Sequence, residues 1–534
     1  VISAKRTYQC NEIAYATQLF TPDWIVKYMV ENSLGKYWIE RNNSSSLRKK
    51  CNYFIDSNIS DINDKVSPSN IKFIDPCCGS GHILVYAFEL FYQIYLEIGY
   101  NKNEIPVAIL KNNLYGLDID DRAGQLSILS VILKAREYDK YIFNKDIIKN
   151  INVMSIQESN KIPNYLSDNF DNEILKQQII DIYEKNLNAK EIGSLLYFEK
   201  KDYEELKEKI ENDDTLFKIE SEQKIIPLIK QNEIMSQKYD IVVTNPPYFK
   251  NSLMSKILKN YVEKKFKNYK NDMFSAFIKR TMDFVKENGY VGLMTPNVWL
   301  FISSFEEVRK EIINNFNVNS MIQLAKGAFF KEATVDICTF ILNKSKNENG
   351  VYFKLEDYHG DMDVQRKAFL SEMSSGNNKY IVSQREFKKI PGFQFAFWLN
   401  NFNIFSFKKI KEQYESGGRN KTHDNNKYVR KWWEISDINR WQNYANGGEF
   451  RKWYGNHIDL VDWSEEAKSN YASHGGLYNQ KYANRVGICW NLITSATNGF
   501  RIKPKDFHYS SGSPTIFYTN NDYNYYLLGF LNCK

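Results

Sequence analysis

Asn245-Pro246-Pro247-Tyr248 put an amide, a rigid backbone carbonyl and a flat ring on one stiff turn. Two acceptors, the Asn245 side-chain oxygen and the Pro246 carbonyl, can take the two N–H bonds of an aromatic amino group. Such a nitrogen is a poor nucleophile because its lone pair is delocalised into the ring. Held by two acceptors, it is drawn toward tetrahedral geometry and the lone pair is freed. Tyr248 can stack on the ring that carries it, and a base in a duplex must leave the stack to be reached. A second reading is structural: Asn ends a strand and caps its own backbone before a tight turn. Taken alone, the four residues fit both.

The elements around the turn decide where it stands. Tyr239–Thr244 is mostly apolar and β-branched and reads as a buried strand, which two prolines stop because proline has no N–H and a fixed φ. Asn245 therefore lies at the carboxyl end of a strand, the edge where open α/β sheets bind ligands. Ile71–Asp75 reads as another strand, Pro76–Gly81 as a Gly turn and His82–Ile98 as a long apolar helix. Glycines let the backbone approach a ligand closely, and the helix start offers free N–H groups to a carboxylate. Asp-Pro-x-x-Gly-x-Gly differs from the dinucleotide fingerprint in spacing and in its leading Asp, and points to the methionine end of S-adenosylmethionine. Asp75, Pro76, Gly79 and Gly81 are its candidate contacts. Cys77 and Cys78 read as small turn residues, since no His stands in an activating role.

A strand over Asn113–Asp120 ends in Asp118, where an acid would hydrogen-bond ribose hydroxyls; Asp120 is an alternative ribose ligand or the cap of the helix Arg122–Glu137. A run at Ile151–Ile156 leads to Glu158, a contact for the cofactor adenine or a surface acid. This alternation predicts a parallel, doubly wound sheet. Phe20-Thr21-Pro22 opens a helix over 18–40, with Thr21 as N-cap and Pro22 at the first helical position. Strands at Tyr290–Asn297, Ser320–Leu324 and Val335–Leu342 complete a seven-stranded sheet with a closing hairpin. Phe330 precedes the last arm, either stacking on the far face of an extruded base or packing in the core.

Domain limits follow from composition. Residues 1–40 hold the N-terminal helix, 41–159 and 237–345 the two halves of the sheet domain, and 160–236 a charged helical insertion whose charges read as a solvated face. The segment 346–390 reads as a linker and 391–534 as an α+β region in which Arg and Lys interleave with Trp and Tyr. Lys427–Trp433 and Gly447–Gly455 are its clearest examples, and Arg430, Lys431, Arg451 and Lys452 are candidates for phosphate contact. A protein interface would share that composition. The 534 residues carry 71 Lys and Arg against 64 Asp and Glu, a net charge of +7 that permits a polyanionic partner. Seven cysteines lack paired metal spacing, so no metal is expected. No signal peptide or membrane-spanning run is read, which predicts a reduced, cytoplasmic protein. A start at Val1 and a stop just after an apolar segment read as a piece of a longer protein.

The order of motifs, from Phe20-Thr21-Pro22 through Asp75–Gly81 and Asp118 to Asn245–Tyr248 and a C-terminal recognition region, resembles the γ arrangement of DNA N6-adenine methyltransferases. In Asp75–Tyr92, Leu114–Arg136, Tyr239–Phe249, Gly289–Arg309, Val382–Trp398 and Gly447–Gly455 the wording is similar to the PglX family of BREX phage-defence systems. The resemblance implies a Rossmann-like methyltransferase fold and S-adenosylmethionine as cofactor, lined by Phe20, Thr21, Asp75, Gly79, Gly81 and Asp118. It implies that Asn245, Pro246 and Tyr248 hold the target adenine, with Phe330 as a second stacker. Methyl transfer in this family is a direct displacement with no covalent enzyme intermediate. Double-stranded DNA and other BREX proteins are the implied partners. The family has further chain on both sides of this stretch, and Glu158 fits its pattern poorly. Competing readings are a cytosine-N4 or protein-glutamine methyltransferase, or a non-catalytic DNA-binding scaffold. The first would place Ser at 245, and the second lacks a large basic C-terminal region.

Overall fold

Nine strands form one sheet with Tyr239–Thr244 (β4) near its centre. Its other members are Phe73–Asp75 (β1), Leu114–Asp118 (β2), Asn152–Ser155 (β3), Val285–Pro296 (β5), Asn317–Gln323 (β6), Ile337–Asn343 (β7), Asn349–Lys354 (β8) and Lys379–Ser383 (β9). The order is β3-β2-β1-β4-β5-β7-β6-β8-β9. The computed structural model describes residues 20–533 apart from 58–61, 63, 146–150, 163–171, 213–217, 330–334, 345–348, 408, 418, 478–479, 495–496 and 520–523.

Strands β3, β2, β1, β4 and β5 run parallel, joined by helices that include His82–Glu97, Asp121–Tyr138 and Met273–Phe284. All six residues of β4 are buried, as a strand covered on both faces requires. Asp240, at its head, accepts Lys72 N (2.9 Å), Lys286 Nζ (2.8 Å) and the Tyr37 hydroxyl (3.1 Å), which pins β4 beside β1. β7 lies antiparallel between β5 and β6, the closing hairpin that the pattern predicts.

The sheet has nine strands rather than seven. Residues 346–390, expected as a linker, add β8 and β9 beyond β6. β9 is a half-exposed edge strand whose apolar run, Tyr380-Ile381-Val382, is short. Residues 391–402 also stay with the sheet: Phe395 packs on Trp299 (5.3 Å) and Phe397 stacks on Tyr352 (4.9 Å). The two compact units are Val1–Phe402 and Asn403–Lys534.

The insertion is helical, as expected, with Glu173–Lys185, Tyr203–Glu211 and Lys218–Ser236 as its longer helices. They close on their own cluster of Leu175, Ile179, Ile182, Leu206, Ile225 and Leu228. The second unit is built from short strands in two four-stranded sheets. One is Tyr414–Glu415, Thr515–Tyr518, Gly487–Cys489 and Arg501–Lys503; the other is Val429–Lys431, Asp459–Asp462, Trp441–Ala445 and His508–Tyr509.

Candidate active site at the carboxyl ends of the central strands

The Asn245–Tyr248 turn, the Gly turn and the Phe20-Thr21-Pro22 segment meet at one edge of the sheet. Thr21 was expected to cap the helix that follows it. The helix instead starts at Asp23 with Pro22 in the cap position and no side-chain cap; the Thr21 hydroxyl accepts Asn245 Nδ2 at 3.1 Å. That bond turns the carboxamide so that Oδ1 faces the other way, toward Tyr248. The Tyr248 hydroxyl donates to Asn245 Oδ1 and lies 2.9 Å from the Met294 carbonyl at the end of β5. A phenol has one proton, so the two acceptors share it. Burial pushes the Tyr248 phenol well above its ordinary range, and it stays a neutral donor. Phe274 meets the Tyr248 ring edge-on at 6.4 Å. Among the described residues nothing donates to the Pro246 carbonyl, which leaves it available as an acceptor.

Phe20 is 71% exposed and crosses His82 edge-on at 5.7 Å. One short segment thus touches the first turn of the Gly-turn helix with Phe20 and the Asn245 amide with Thr21. Its helix is held down by Glu31, whose carboxylate accepts the Tyr86 hydroxyl (2.7 Å) and Tyr53 N (2.6 Å). Burial raises that carboxyl to about 7.

The Gly turn is built from the backbone. Gly79 has φ +52° and Gly81 φ +89°, a region that L side chains rarely enter. A Cβ on Gly81 would stand 2.8 Å from Ser127 Oγ and 3.1 Å from its Cα, whereas one on Gly79 would meet nothing within 4 Å. Helix packing demands the first glycine and an open approach surrounds the second. Asp118 ties this turn to β2: Oδ2 accepts Gly79 N and Oδ1 accepts Asp120 N, both at 2.9 Å. Burial lifts the Asp118 carboxyl above its usual range. Each oxygen keeps a further lone pair for a hydroxyl donor. Asp120 is the helix cap, accepting Arg122 N (2.8 Å) and Ala123 N (2.9 Å). Asp75 is buried at the end of β1 and accepts Cys77 N at 3.1 Å; burial raises its carboxyl to about 7. The thiols of Cys77 and Cys78 are likewise pushed well above the thiol range by burial, which suits packing residues.

Ser194 carried no signal in the sequence. Its hydroxyl donates to the Pro76 carbonyl at 2.6 Å, so the insertion buttresses the Gly turn. Arg280 holds that segment through the carbonyls of Ser194 (3.0 Å), Leu196 (2.6 Å) and Met235 (3.0 Å). Glu158 follows β3, whose neighbour Ile156 donates its N–H to the Asp118 carbonyl at 2.7 Å. It lines a cleft of about 390 Å³ with Gly124, Ile128, Lys161 and Lys224 at the β3 edge. Phe330 lies outside the described residues.

The four expected DNA contacts lie in the second unit and differ in freedom. Arg430 spends a guanidinium nitrogen on the carbonyls of Asn426 (2.6 Å) and Val429 (2.7 Å). Lys431 pairs with Asp459 at 2.6 Å. Lys452 Nζ donates to the Asn532 carbonyl at 3.0 Å. Arg451 is exposed, with Glu449 at 3.8 Å.

Residues 112–330, from the start of β2 past β6 and including the Asn245–Tyr248 turn, match the family model of the Eco57I restriction-modification methylase. The restriction-modification enzyme LlaGI of Type ISP, solved with a DNA substrate mimic, shares the fold, with a TM-score of 0.54 at 11% identity over 97% of this chain and 51% of that one. Over 99% of its length the chain is 30% identical to the adenine-specific methyltransferase BrxX of Escherichia coli O9:H4 (strain HS), covering 48% of that protein. It is likewise 30% identical to the adenine-specific methyltransferase PglX of Lacticaseibacillus casei (strain Zhang), again with 99% and 48% covered. The chain spans about half the length of these curated relatives. The resemblance read from the order of motifs holds over nearly the whole chain.

Proposed function

We propose that the chain methylates adenine N6 in duplex DNA at a specific site, in the service of BREX-type phage defence and host DNA marking. The observation that carries this reading is the Asn245 carboxamide, fixed by Thr21 on one side and Tyr248 on the other, beside a free Pro246 carbonyl. Two acceptors at a strand end fit the two protons of an aromatic amine. Similarity to adenine-specific relatives supports the choice of base.

Asp118, Gly79, Gly81, Asp75 and Phe20 would hold S-adenosylmethionine, and the open side of Gly79 and the spare lone pairs of Asp118 suit it. The cofactor, when bound, supplies an electrophilic methyl on a sulfonium. The chain's own work is positioning. As the base enters, the Tyr248 proton turns to the Met294 carbonyl and Asn245 Oδ1 accepts one N6 N–H bond. The Pro246 carbonyl takes the other. The ring of Tyr248, anchored by its hydroxyl, stacks on the base. No strongly basic group is required, because the methylated nitrogen can lose its proton after transfer.

The test is to incubate wild type and Asn245→Ala with S-adenosylmethionine and mixed-sequence DNA and to quantify modified nucleosides by mass spectrometry. N6-methyladenine from the wild type, reduced by roughly a thousandfold in the variant as for loss of one preorganised polar contact, is the expected result. N4-methylcytosine would move the target to another base, and cofactor binding without any product would favour a scaffold.

A further inference from the structure

We infer that the lobe at residues 250–270, next to the catalytic turn, is a phosphate-binding surface that lets the sheet unit grip the DNA backbone itself. The inference rests on the DNA-methylation reading. Lys256, Lys259, Lys264, Lys265, Lys267 and Lys270 are all exposed, and none forms a salt bridge with a described residue. The one carboxylate in residues 251–271 is Glu263. Lysine-rich helices usually carry a solvated, ion-paired face, and the insertion of this same chain does so. There Lys185, Lys190, Lys201, Lys209 and Lys224 each meet a carboxylate within 3.1 Å. The lobe departs from that pattern.

Its placement is fixed. A bridge between Lys250 and Asp272 closes the neck, reinforced by Met273 N to the Phe249 carbonyl at 2.9 Å and Asn251 N to the Asn271 carbonyl at 3.2 Å. Entry follows directly on Tyr248, and exit leads into the helix whose Phe274 packs on the Tyr248 ring. Leu258, Val262, Phe266 and Tyr269 are buried beneath the helix Lys256–Lys265 and fasten it. The cations therefore stand beside the catalytic turn on a rigid base. Lysine is depleted at protein interfaces, whereas ammonium groups on long stems suit phosphates that are gripped without reading bases.

The test measures Kd of the full chain for a mixed-sequence duplex over a range of salt. In Lys256→Gln/Lys259→Gln/Lys264→Gln/Lys265→Gln the slope of log Kd against log salt becomes shallower by about one for each lysine that meets a phosphate. S-adenosylmethionine affinity, read by calorimetry, reports that the fold persists. The matched variant Lys185→Gln/Lys201→Gln/Lys209→Gln/Lys224→Gln keeps the wild-type slope, since its charges are already paired. A charge-keeping Lys→Arg version of the lobe variant also keeps it. An unchanged slope in the lobe variant, or an equal change in both Gln variants, overturns the inference while the methylation reading stands. A wild-type chain that binds no DNA overturns both.

Discussion

The two units differ in where most of their polar side chains act, although Arg280 and Arg309 of the sheet unit also turn inward onto carbonyls. In the sheet unit Asp118 and Asn245 stand at strand ends and reach across to another loop, Asp118 to Gly79 and Asn245 to Thr21, while Ser194 reaches Pro76 from the insertion. In the second unit the cations turn inward. Lys503 is fully buried and donates to the carbonyls of Ala483 (2.9 Å), Arg485 (2.8 Å) and Pro504 (3.0 Å). Arg501 is buried and bonds Asn491 Oδ1 at 2.9 Å, and Arg485 pairs with Glu415. The cause is the backbone. Long ladders satisfy their own N–H and C=O groups and leave strand-end side chains free. Strands of two to five residues leave many loop carbonyls that need donors, and Lys and Arg supply them. Basic composition therefore overstates the charge that this unit can offer a polyanion.

The comparison breaks first at Asp118. If its oxygens serve both the fold and the cofactor, Asp118→Ala strands two backbone N–H groups and weakens S-adenosylmethionine binding by about 1–3 kcal/mol in calorimetry. Affinity equal to wild type would confine Asp118 to the backbone. The ribose role would then pass to Asp120, whose helix cap uses one carboxylate oxygen, Oδ1.

Thr21 gives a smaller effect of a different kind. Thr21→Val removes the acceptor that orients the Asn245 amide, and about 1 kcal/mol of lost hydrogen bonding is roughly a fivefold fall in kcat. Thr21→Ser restores it, and cofactor affinity changes little in either. A fall in affinity with kcat intact would make Thr21 part of the cofactor site alone.

Thr21 also marks the limit of sequence reading. Strand-then-turn patterns such as Ile71–Gly81 and Tyr239–Tyr248 are local, and the structure builds them as read. A hydroxyl before Pro-Asp looks like a helix cap from either side of it; the competing partner, Asn245, lies 224 residues away. Ser194 sits in a charged insertion with no motif around it. β8 and β9 escaped because β8 offers only a short run, Val351-Tyr352-Phe353, and β9 is half-exposed along its length. Lys431, Lys452 and Arg451 look alike in sequence, since their difference is made by carbonyls and carboxylates folded in from elsewhere.

Asp75 sharpens the comparison through pH. Its carboxyl titrates at about 7 in the fold because of burial, against about 3.9 when unfolded. The folded state therefore binds the proton more tightly, and the stability this gives is full below about 4 and lost as pH rises through 7. Asp75→Asn removes that loss. The variant's melting temperature gains on wild type as pH rises from 4 to 7, read as a difference so that Glu31 cancels. Parallel curves would mean that the carboxyl stays ionised through that window.

The smallest effect tests the second unit residue by residue. Arg451→Gln removes an exposed guanidinium and flattens the salt dependence of DNA binding by about one contact. Lys452→Gln removes an ammonium already donated to the Asn532 carbonyl. That bond docks the strand-bearing loop on the helix Asn524–Asn532, so the variant loses stability, about 1 kcal/mol in denaturant unfolding, with the salt slope unchanged. Equal slope changes from both residues would mean that Lys452 leaves its carbonyl for phosphate. The inward use of cations would then be a property of the free chain and not of its complex with DNA.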